Sequence, residues 1–506
     1  MDEPRATPPE GAELASVDLG SNSFRLEVAR LEHGVYRRVD YLKETVRLGA
    51  GLDADGRLGE AAMQCGLDCL ARFAQRLRGL DARQVRAVAT QTLREARNRD
   101  AFLARAAHAI GRPSEVISGR EEARLIFAGV ARLQPSNRRR LVVDIGGRST
   151  EMILGSGRTA RRAESFGVGC VGLSMRFFAD GQYSAAAFRA AQVAAGAELE
   201  EALEPFAPSH WDEALGASGT VGAVSELLAA SGQSDGRITP EGLRWCIEQC
   251  LRAGRVERLD LPGLKADRRP VLAGGLAILY TLATHFEIDA LQPTRGALRQ
   301  GVIFDLAERL GADAGAGHDA REASVRALQR RFGVDLAQAA RVRDTALALH
   351  AAVRPRAPAE HRRELAWAAE LHELGMVVSH HDHHRHGAYV LAHADAAGFS
   401  QSQQRRLAEL VLAQRGALAK SEAALHDVER AWQVLSLRLA VLLCHARQAT
   451  ELTGLALGAE RGLATLGLGA AWARRHPRSA YLLVEERAAW QRVEAPNGLR
   501  LLARRG

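Results

Sequence analysis

The sequence predicts a mixed α/β protein built on a duplicated strand–aspartate–glycine unit and followed by a helical half. Three observations carry that prediction. The same theme occurs twice: 14-LASVDLGSNSFRL-26 and 141-LVVDIGGRSTEM-152 each run an apolar strand into Asp, small residues and Ser, then into a strand pairing back. Strands and amphipathic helical stretches alternate through about residue 310. Past 311-GADAGAGHDA-320, a linker by composition, the chain is almost entirely helical in period to about residue 450.

Taken in order, 14-LASVDLG-20 is a short apolar run ending in Asp and Gly, and 23-SFRLEVARL-31 alternates as the second strand of a hairpin. Helical periodicity dominates 60-EAAMQCGLDCLARFAQRLRGL-80, and 85-VRAVAT-90 returns to strand. The stretch 118-SGREEARLIFAGVARL-133 is an amphipathic helix with Ile126, Phe127 and Val130 on one face. In the second unit, 214-ALGASGT-220 and 271-VLAGGLAIL-279 both read as apolar strands that break into small-residue turns before helices. The expected domains are 12–136, 137–310, 321–450 and 451–506.

A chain of 506 residues, 47% hydrophobic and 25% charged, has enough apolar material for several cores and is not disordered. Its net charge of +8 favours a polyanionic partner: nucleic acid, an anionic membrane surface or a phosphate-rich small molecule. Of 68 basic residues only Lys43, Lys265 and Lys420 are lysines. Arginine's planar fork suits bidentate phosphate binding, although coding bias in a GC-rich genome produces the same composition. No apolar run approaches the roughly 20 residues needed to cross a bilayer. The opening MDEPRATPPEGAE has no signal-peptide core, so the expected location is the cytoplasm, with the inner-membrane surface as the alternative. The pairs Cys65/Cys69 and Cys246/Cys250 sit at i,i+4 and read as helix faces rather than zinc ligands.

A turn such as 18-DLGSNS-23 has a physical logic. Glycine lets the backbone approach an oxyanion, successive N–H groups form an anion-holding concavity, and Ser and Asn add donors. The aspartate at the strand end can hold Mg²⁺ directly or through water. Four such segments occur in order on apolar runs: DLGSNS, DIGGRST, GASGT and AGGLA.

The order and spacing of 17-VDLGSNSFRL-26, 45-TVRLGAGL-52, 90-TQTLREARN-98, 117-ISGREEARLIF-127, 142-VVDIGGRSTE-151, 166-FGVGCV-171, 215-LGASGT-220 and 297-ALRQG-301 closely resemble the exopolyphosphatase/guanosine pentaphosphate phosphohydrolase family. The resemblance continues through 367-WAAELHELG-375 and 384-HRHGAYVL-391. It implies two actin-like domains (the ribonuclease H-like, sugar-kinase superfold), an all-α HD-like domain and a small C-terminal α+β domain. It further implies a two-lobed site that hydrolyses a terminal phosphoanhydride with Mg²⁺, and a homodimer. The substrate it suggests first is inorganic polyphosphate, degraded processively, with guanosine pentaphosphate as the alternative. A non-catalytic polyphosphate or alarmone binder is the rival of another class, and no nucleic-acid partner is expected.

The resemblance also assigns residues. Glu122 matches the family's catalytic glutamate, the base that positions the attacking water. Its neighbour Glu121 forms a capping box with Ser118 and is expected to serve the helix N-terminus; on local grounds alone both acids simply favour the helix dipole. Asp144 and Glu151 are expected to serve Mg²⁺ and the water's approach, and Asp18 to share the Mg²⁺ side. Ser21, Asn22, Ser23, Arg94, Gly146, Gly147, Ser149 and Thr150 are expected around the phosphate, with Ser218, Gly219 and Thr220 gripping from the opposite lobe. Each also has a local reading, as turn formers, a solvated arginine and a strand-to-helix turn.

Four features depart from the family pattern. Arg148 stands where the loop is otherwise glycine: at φ > 0 it would cost on the order of 1 kcal/mol, and at ordinary φ its guanidinium would bind phosphate. Gln300 and Arg295 replace residues that are more often acidic or small, making the neighbourhood more positive. His372-Glu373 stands where an HD metal site has His-Asp, which reads as scaffold. The run 380-HHDHHRHG-387 reads as an exposed, partly protonated loop.

Overall fold

The computed structural model describes residues 11–313, 319–448, 451–460, 463–493 and 501–505. They divide into two compact units, Met1–His318 and Asp319–Gly506.

The first unit contains two five-stranded sheets of one topology. Strands β1 (Glu13–Leu19), β2 (Ser23–Glu32), β3 (Val35–Thr45), β4 (Val85–Ala89) and β5 (Ser114–Val116) lie in the order β3-β2-β1-β4-β5. Strands β6 (Arg140–Ile145), β7 (Thr150–Ser156), β8 (Thr159–Phe166), β9 (Glu213–Ala217) and β10 (Leu291–Pro293) lie in the order β10-β9-β6-β7-β8. In each sheet the first three strands form an antiparallel meander and the last two join the first in parallel. This duplicated arrangement is the actin-like fold.

The burial patterns follow from these positions. Central β1 and β6 are buried on both faces, so LASVDL and RLVVDI are near-continuous apolar runs. Strand β3, at an edge, is exposed along most of its length and carries Arg37, Arg38 and Lys43, which discourage pairing with another sheet. The duplication extends to register. Asp18 is the penultimate residue of β1 and faces Arg25 across the hairpin, and Asp144 is the penultimate residue of β6 and faces Glu151.

The helix Gly119–Leu133 carries the acid motif and packs against the helix Leu298–Asp313 at a crossing built on glycine. A Cβ on Gly301 would lie 1.7 Å from the Leu125 carbonyl oxygen, and one on Gly129 2.4 Å from that of Ala297. Gly301→Ala is therefore expected to cost about 3 kcal/mol through overpacking, read as a lower urea midpoint. A midpoint equal to wild type would contradict the close crossing.

Two expectations change here. The segment 271-VLAGGLAIL-279 is neither a strand nor a phosphate loop; it lies inside the helix Arg269–His285, with Pro270 in its first turn. A run buried all round gives the same hydrophobic signature in strand and helix. Its paired glycines serve packing: a Cβ on Gly274 would meet the Cys170 carbonyl oxygen at 2.4 Å, and one on Gly275 the Thr220 methyl at 2.5 Å. The linker expected at 311–320 starts later, since the helix runs to Asp313 and Asp319 caps the next one; 314–318 lie outside the described residues.

The second unit is helical from Ala320 to Leu443 and closes with a three-stranded sheet and the helix Pro477–Gln491. Trp367, Leu437, Leu466, Trp472 and Trp490 share one core. A buried pair, Arg438 with Glu486 at 2.5 and 2.8 Å, ties the helix Val428–Leu443 to Pro477–Gln491. Packing therefore does not break at 450. His372 is buried and its Nδ1 lies 2.7 Å from the Ala369 carbonyl oxygen. Burial pushes its pKa down to about 4, so it is neutral. Glu373 is engaged by Arg447 at 2.7 Å. Among the described residues no group of three or more His, Cys, Asp or Glu is arranged to hold a metal ion. The histidine run is only partly an exposed loop: a helix starts at His383, where His383 and His384 are buried and burial lowers their pKa values. No helix among the described residues is long and apolar enough to cross a membrane.

Candidate active site

The ends of β1, β6 and β9 open into one cleft of about 470 Å³ inside the first unit. The turn after β1 supplies Gly20, Ser21, Asn22 and Ser23, and the turn after β6 supplies Gly146, Gly147 and Ser149. The two turns meet, because a Cβ on Gly147 would be 3.1 Å from that of Ser21 and 3.4 Å from the Asn22 nitrogen. A side chain there would press on the first turn. The Gly146 N–H donates to the Ser149 carbonyl oxygen at 2.8 Å, curling the second turn, and the Val171 N–H donates to the Gly147 carbonyl oxygen at 2.8 Å.

The third element is the start of the helix Ser218–Ala230. Ser218 holds φ at +90°, a strained backbone for a non-glycine residue, and its Oγ accepts from the N–H groups of Thr220 and Val221 at 3.2 and 3.3 Å. The helix N-terminus thereby faces the cleft with its positive end. Ser218, Gly219 and Thr220 all line it, although the Thr220 hydroxyl is already donated to the Ile145 carbonyl oxygen at 3.0 Å. Ser23 Oγ, in contrast, is buried at the cleft with no partner among the described residues, which leaves it able to donate to a ligand.

Beneath these donors lie four acids. Asp18, Glu122 and Asp144 line the cleft, and Glu151 stands beside Asp144 in register. Arg94 Nη1 donates to Glu122 Oε2 at 2.8 Å, and the same guanidinium is fixed by Gln91 at 2.6 and 2.9 Å and by the Ile117 carbonyl oxygen at 3.1 Å. Arg94 is thus the residue that orients Glu122; it does not line the cleft. Ser165 Oγ donates to Glu151 Oε1 at 2.8 Å, and Thr150 Oγ1 donates to the Val168 carbonyl oxygen at 2.6 Å, so Thr150 holds the turn rather than a ligand.

Burial raises the pKa of all four acids, and neighbouring carboxylates add to it for Glu122, Asp144 and Glu151. Burial, then the charge of Glu122, lifts Asp144 to about 7 against the pull of Arg25. Burial, then Glu122 and Asp144, pushes Glu151 well above the carboxylate range. Burial raises Glu122, with Arg94 opposing, and burial raises Asp18 against Arg25 and Arg299. Such a set resists full ionisation unless positive charge enters. These donors fit Mg²⁺, which takes one or two carboxylates and completes its shell with waters and phosphate oxygens. Asp18 and Asp144, which line the cleft, would be its ligands; Glu151, expected to share that role, does not line the cleft.

Glu121 is used differently from the expectation. Ser118 Oγ accepts its N–H at 3.1 Å, but its carboxylate is gripped by Arg124 at 2.7 and 2.8 Å, in a network that reaches Asp305 and Arg86. That network fixes the helix that presents Glu122.

Arg148 also takes another role. Its φ lies outside the left-handed region, so the loop carries no strain at that residue. Its guanidinium lies outside the cleft lining and pairs with Glu95 at 2.8 and 2.9 Å and with the Gly49 carbonyl oxygen at 3.3 Å. It straps the loop after β6 to the first lobe. A partly exposed ion pair contributes at most about 1 kcal/mol. Arg148→Gly is therefore expected to change kcat/KM by less than about fivefold, and a 100-fold fall in steady-state assays would put the guanidinium on substrate. Gln300 is equally structural: buried, its amide donates to both Glu27 carboxylate oxygens at 2.7 Å.

Sequence reasoning picked out one residue of the cationic wall, Arg295, which lines the cleft, and missed the rest. Arg25, Lys43, Lys265, Arg268 and Arg299 line the cleft, so two of the chain's three lysines are here. Arg25 Nη1 is 3.5 Å from Asp18 Oδ2, and Lys43 Nζ reaches across to Asp267 at 3.3 Å. One signal was available. Aligning DLGSNSFR with DIGGRSTE puts Arg25 at the position of Glu151, seven residues past each aspartate, which marks it as facing the site.

Known proteins resemble this chain along most of its length. The model of the Ppx/GppA phosphatase family matches residues 28–310, and that of its domain III matches residues 320–487. A guanosine-5'-triphosphate,3'-diphosphate pyrophosphatase of Photobacterium profundum is 36% identical over 476 residues, covering 93% of this chain and 95% of that protein. One of Vibrio vulnificus is 38% identical over 480 residues, covering 92% and 94%. A solved exopolyphosphatase-like protein is 25% identical with a TM-score of 0.54, covering 60% of this chain and 99% of its own. The chain belongs to the Ppx/GppA phosphatase family.

Proposed function

We propose that the protein removes the terminal 5'-phosphate of guanosine pentaphosphate by hydrolysis, giving guanosine tetraphosphate and orthophosphate. The observation that carries this reading is the pairing of buried acids with phosphate-gripping turns and a cationic wall in one cleft. Guanosine pentaphosphate is preferred over polyphosphate, which the sequence alone put first, because relatives 36–38% identical along more than nine-tenths of the chain carry that activity in their names. The exopolyphosphatase-like structural relative favours polyphosphate as the second reading.

The chemistry follows from the site. Turn N–H groups and Ser23 hold the terminal phosphate, and the helix at Ser218 faces it with its positive end. Glu122, oriented by Arg94, takes a proton from a water as the water oxygen bonds to the terminal phosphorus. The bond from that phosphorus to the bridging oxygen breaks, and the oxygen departs on the β-phosphate with its electron pair. Raised basicity suits Glu122 to that role. Arg25, Lys43, Arg268 and Arg299 neutralise charge spread over the phosphate oxygens, the dominant requirement in phosphoryl transfer. Asp18 and Asp144 would hold Mg²⁺ at the cleft, where it would supply further charge neutralisation.

The test compares kcat/KM for phosphate release from guanosine pentaphosphate and from long polyphosphate with the same purified protein. A higher value for the nucleotide is expected; a large advantage for polyphosphate would reverse the assignment.

A further inference from the structure

We propose that Glu226 and Lys265 form a guanine-reading pair at the outer end of the cleft, an inference that rests on the guanosine pentaphosphate reading above. The helix Ser218–Ala230 turns one stripe to the cleft: Gly219, Gly222, Ala223 and Glu226, at the i, i+3, i+4, i+7 spacing of one helical face. Over most of its length this stripe is smooth. A Cβ on Gly222 would meet nothing within 4 Å, so a flat ring can lie against the backbone there.

Position along the helix then separates the tasks. At the N-terminal end the Arg268 guanidinium lies on Gly219, 2.1 Å from where a Cβ would be, and belongs to the phosphates. Glu226 follows seven residues later, about 10 Å along the axis. With the terminal phosphate at the helix start, two further phosphates, the ribose and the purine exceed this span when extended, so a nucleotide bent along the helix brings its far edge to Glu226. Of the acids lining the cleft among the described residues, Asp18, Glu122 and Asp144 belong to the buried cluster, and Glu226 stands apart from it. A carboxylate on this part of the wall opposes a simple polyanion track and calls for another ligand.

Lys265 supplies the complement. Its Nζ is 3.6 Å from Glu226 Oε2, and the two side chains are 69% and 52% exposed, so their attraction is weak and each can turn to a ligand. The turn carrying Lys265 is held against the helix: Gly263 has φ of +78°, and a Cβ there would come within 2.8 Å of the Glu226 carbonyl oxygen. Together the pair offers a donor beside an acceptor. Guanine presents O6 beside N1–H and the N2 amino group, so Lys265 donates to O6 while Glu226 accepts from N1–H and N2–H. Adenine presents an amino group beside a bare N1 and meets like against like at both atoms, which rejects it.

The experiment measures kcat/KM for wild type, Glu226→Gln and Lys265→Met on guanosine pentaphosphate and on its adenosine counterpart, with wild type also assayed on polyphosphate. Wild type is expected to favour guanosine by about 10-fold or more, the discrimination typical of a bidentate base contact. Both substitutions are expected to cut the guanosine-to-adenosine ratio severalfold, Glu226→Gln most, since its amide can donate to adenine N1. Each ratio compares two substrates on one protein, so a general loss of folding does not move it. A wild-type ratio near one, or a ratio unchanged in Glu226→Gln, overturns the inference and leaves guanosine pentaphosphate as substrate. Wild type that releases phosphate from polyphosphate and from neither nucleotide overturns the inference and the functional reading together.

Discussion

Glu122→Gln is expected to lower kcat for phosphate release by about 10²–10⁴-fold, the range for removing a general base. The amide nearly preserves shape and can still accept from Arg94, so KM and the thermal midpoint should stay near wild type. The carboxylate is buried and held at one oxygen by Arg94 at 2.8 Å, leaving the other to receive a proton. A second readout separates this role from a structural one. Burial raises the Glu122 pKa, with Arg94 opposing. Wild-type kcat/KM should therefore fall as pH drops through the raised pKa, and the limb should vanish in Glu122→Gln. A variant within threefold of wild type would remove Glu122 from the chemistry.

The second large effect concerns the cation and pH together. Asp144 has its pKa lifted to about 7 from an ordinary 3.8 by burial and then by Glu122. The folded protein thus binds this proton more tightly than the unfolded chain. Its stabilising contribution is complete below the ordinary value and is lost as pH rises through about 7. Glu151 and Asp18, also raised, act in the same direction. Metal-free protein is expected to show a thermal midpoint that falls between pH 5 and pH 8. Added Mg²⁺ should raise it more at pH 8, where the carboxylates must otherwise repel one another. Chelation should abolish turnover at the same time. A Mg²⁺ shift equal at both pH values, or absent in Asp144→Asn and wild type alike, would separate the cation from this cluster.

Much of the fold was legible because the duplication is local. Asp18 and Asp144 each close an apolar run and open a glycine turn, and that order survives as equivalent register in two sheets. The place of Glu122 in the cleft was legible from its motif, and its separation from Glu121 was anticipated for an incomplete reason. The Ser118 cap forms, yet the Glu121 carboxylate is held by Arg124, a partner in a network with Asp305 far along the chain.

What stayed hidden depends on contacts between distant segments. Arg148 looked like a phosphate ligand because its partner, Glu95, lies 53 positions away in sequence. Lys43 and Lys265 come to one cleft from an edge strand and a loop over 200 positions apart, and no periodicity announces that. The helix Arg269–His285 was read as a strand because burial on every side erases the amphipathic signature. Its Gly274 and Gly275 resembled a phosphate turn, whereas they admit neighbouring backbone and the Thr220 methyl.

Water directed to the terminal phosphorus of a nucleotide polyphosphate leaves its oxygen in the released orthophosphate. The most direct measurement is a turnover of guanosine pentaphosphate in ¹⁸O-labelled water, with both products analysed by mass spectrometry. The account predicts one ¹⁸O in the released orthophosphate, none in guanosine tetraphosphate, and loss of the labelled product in Glu122→Gln. Label in the tetraphosphate, release of pyrophosphate, or full turnover by Glu122→Gln would contradict it.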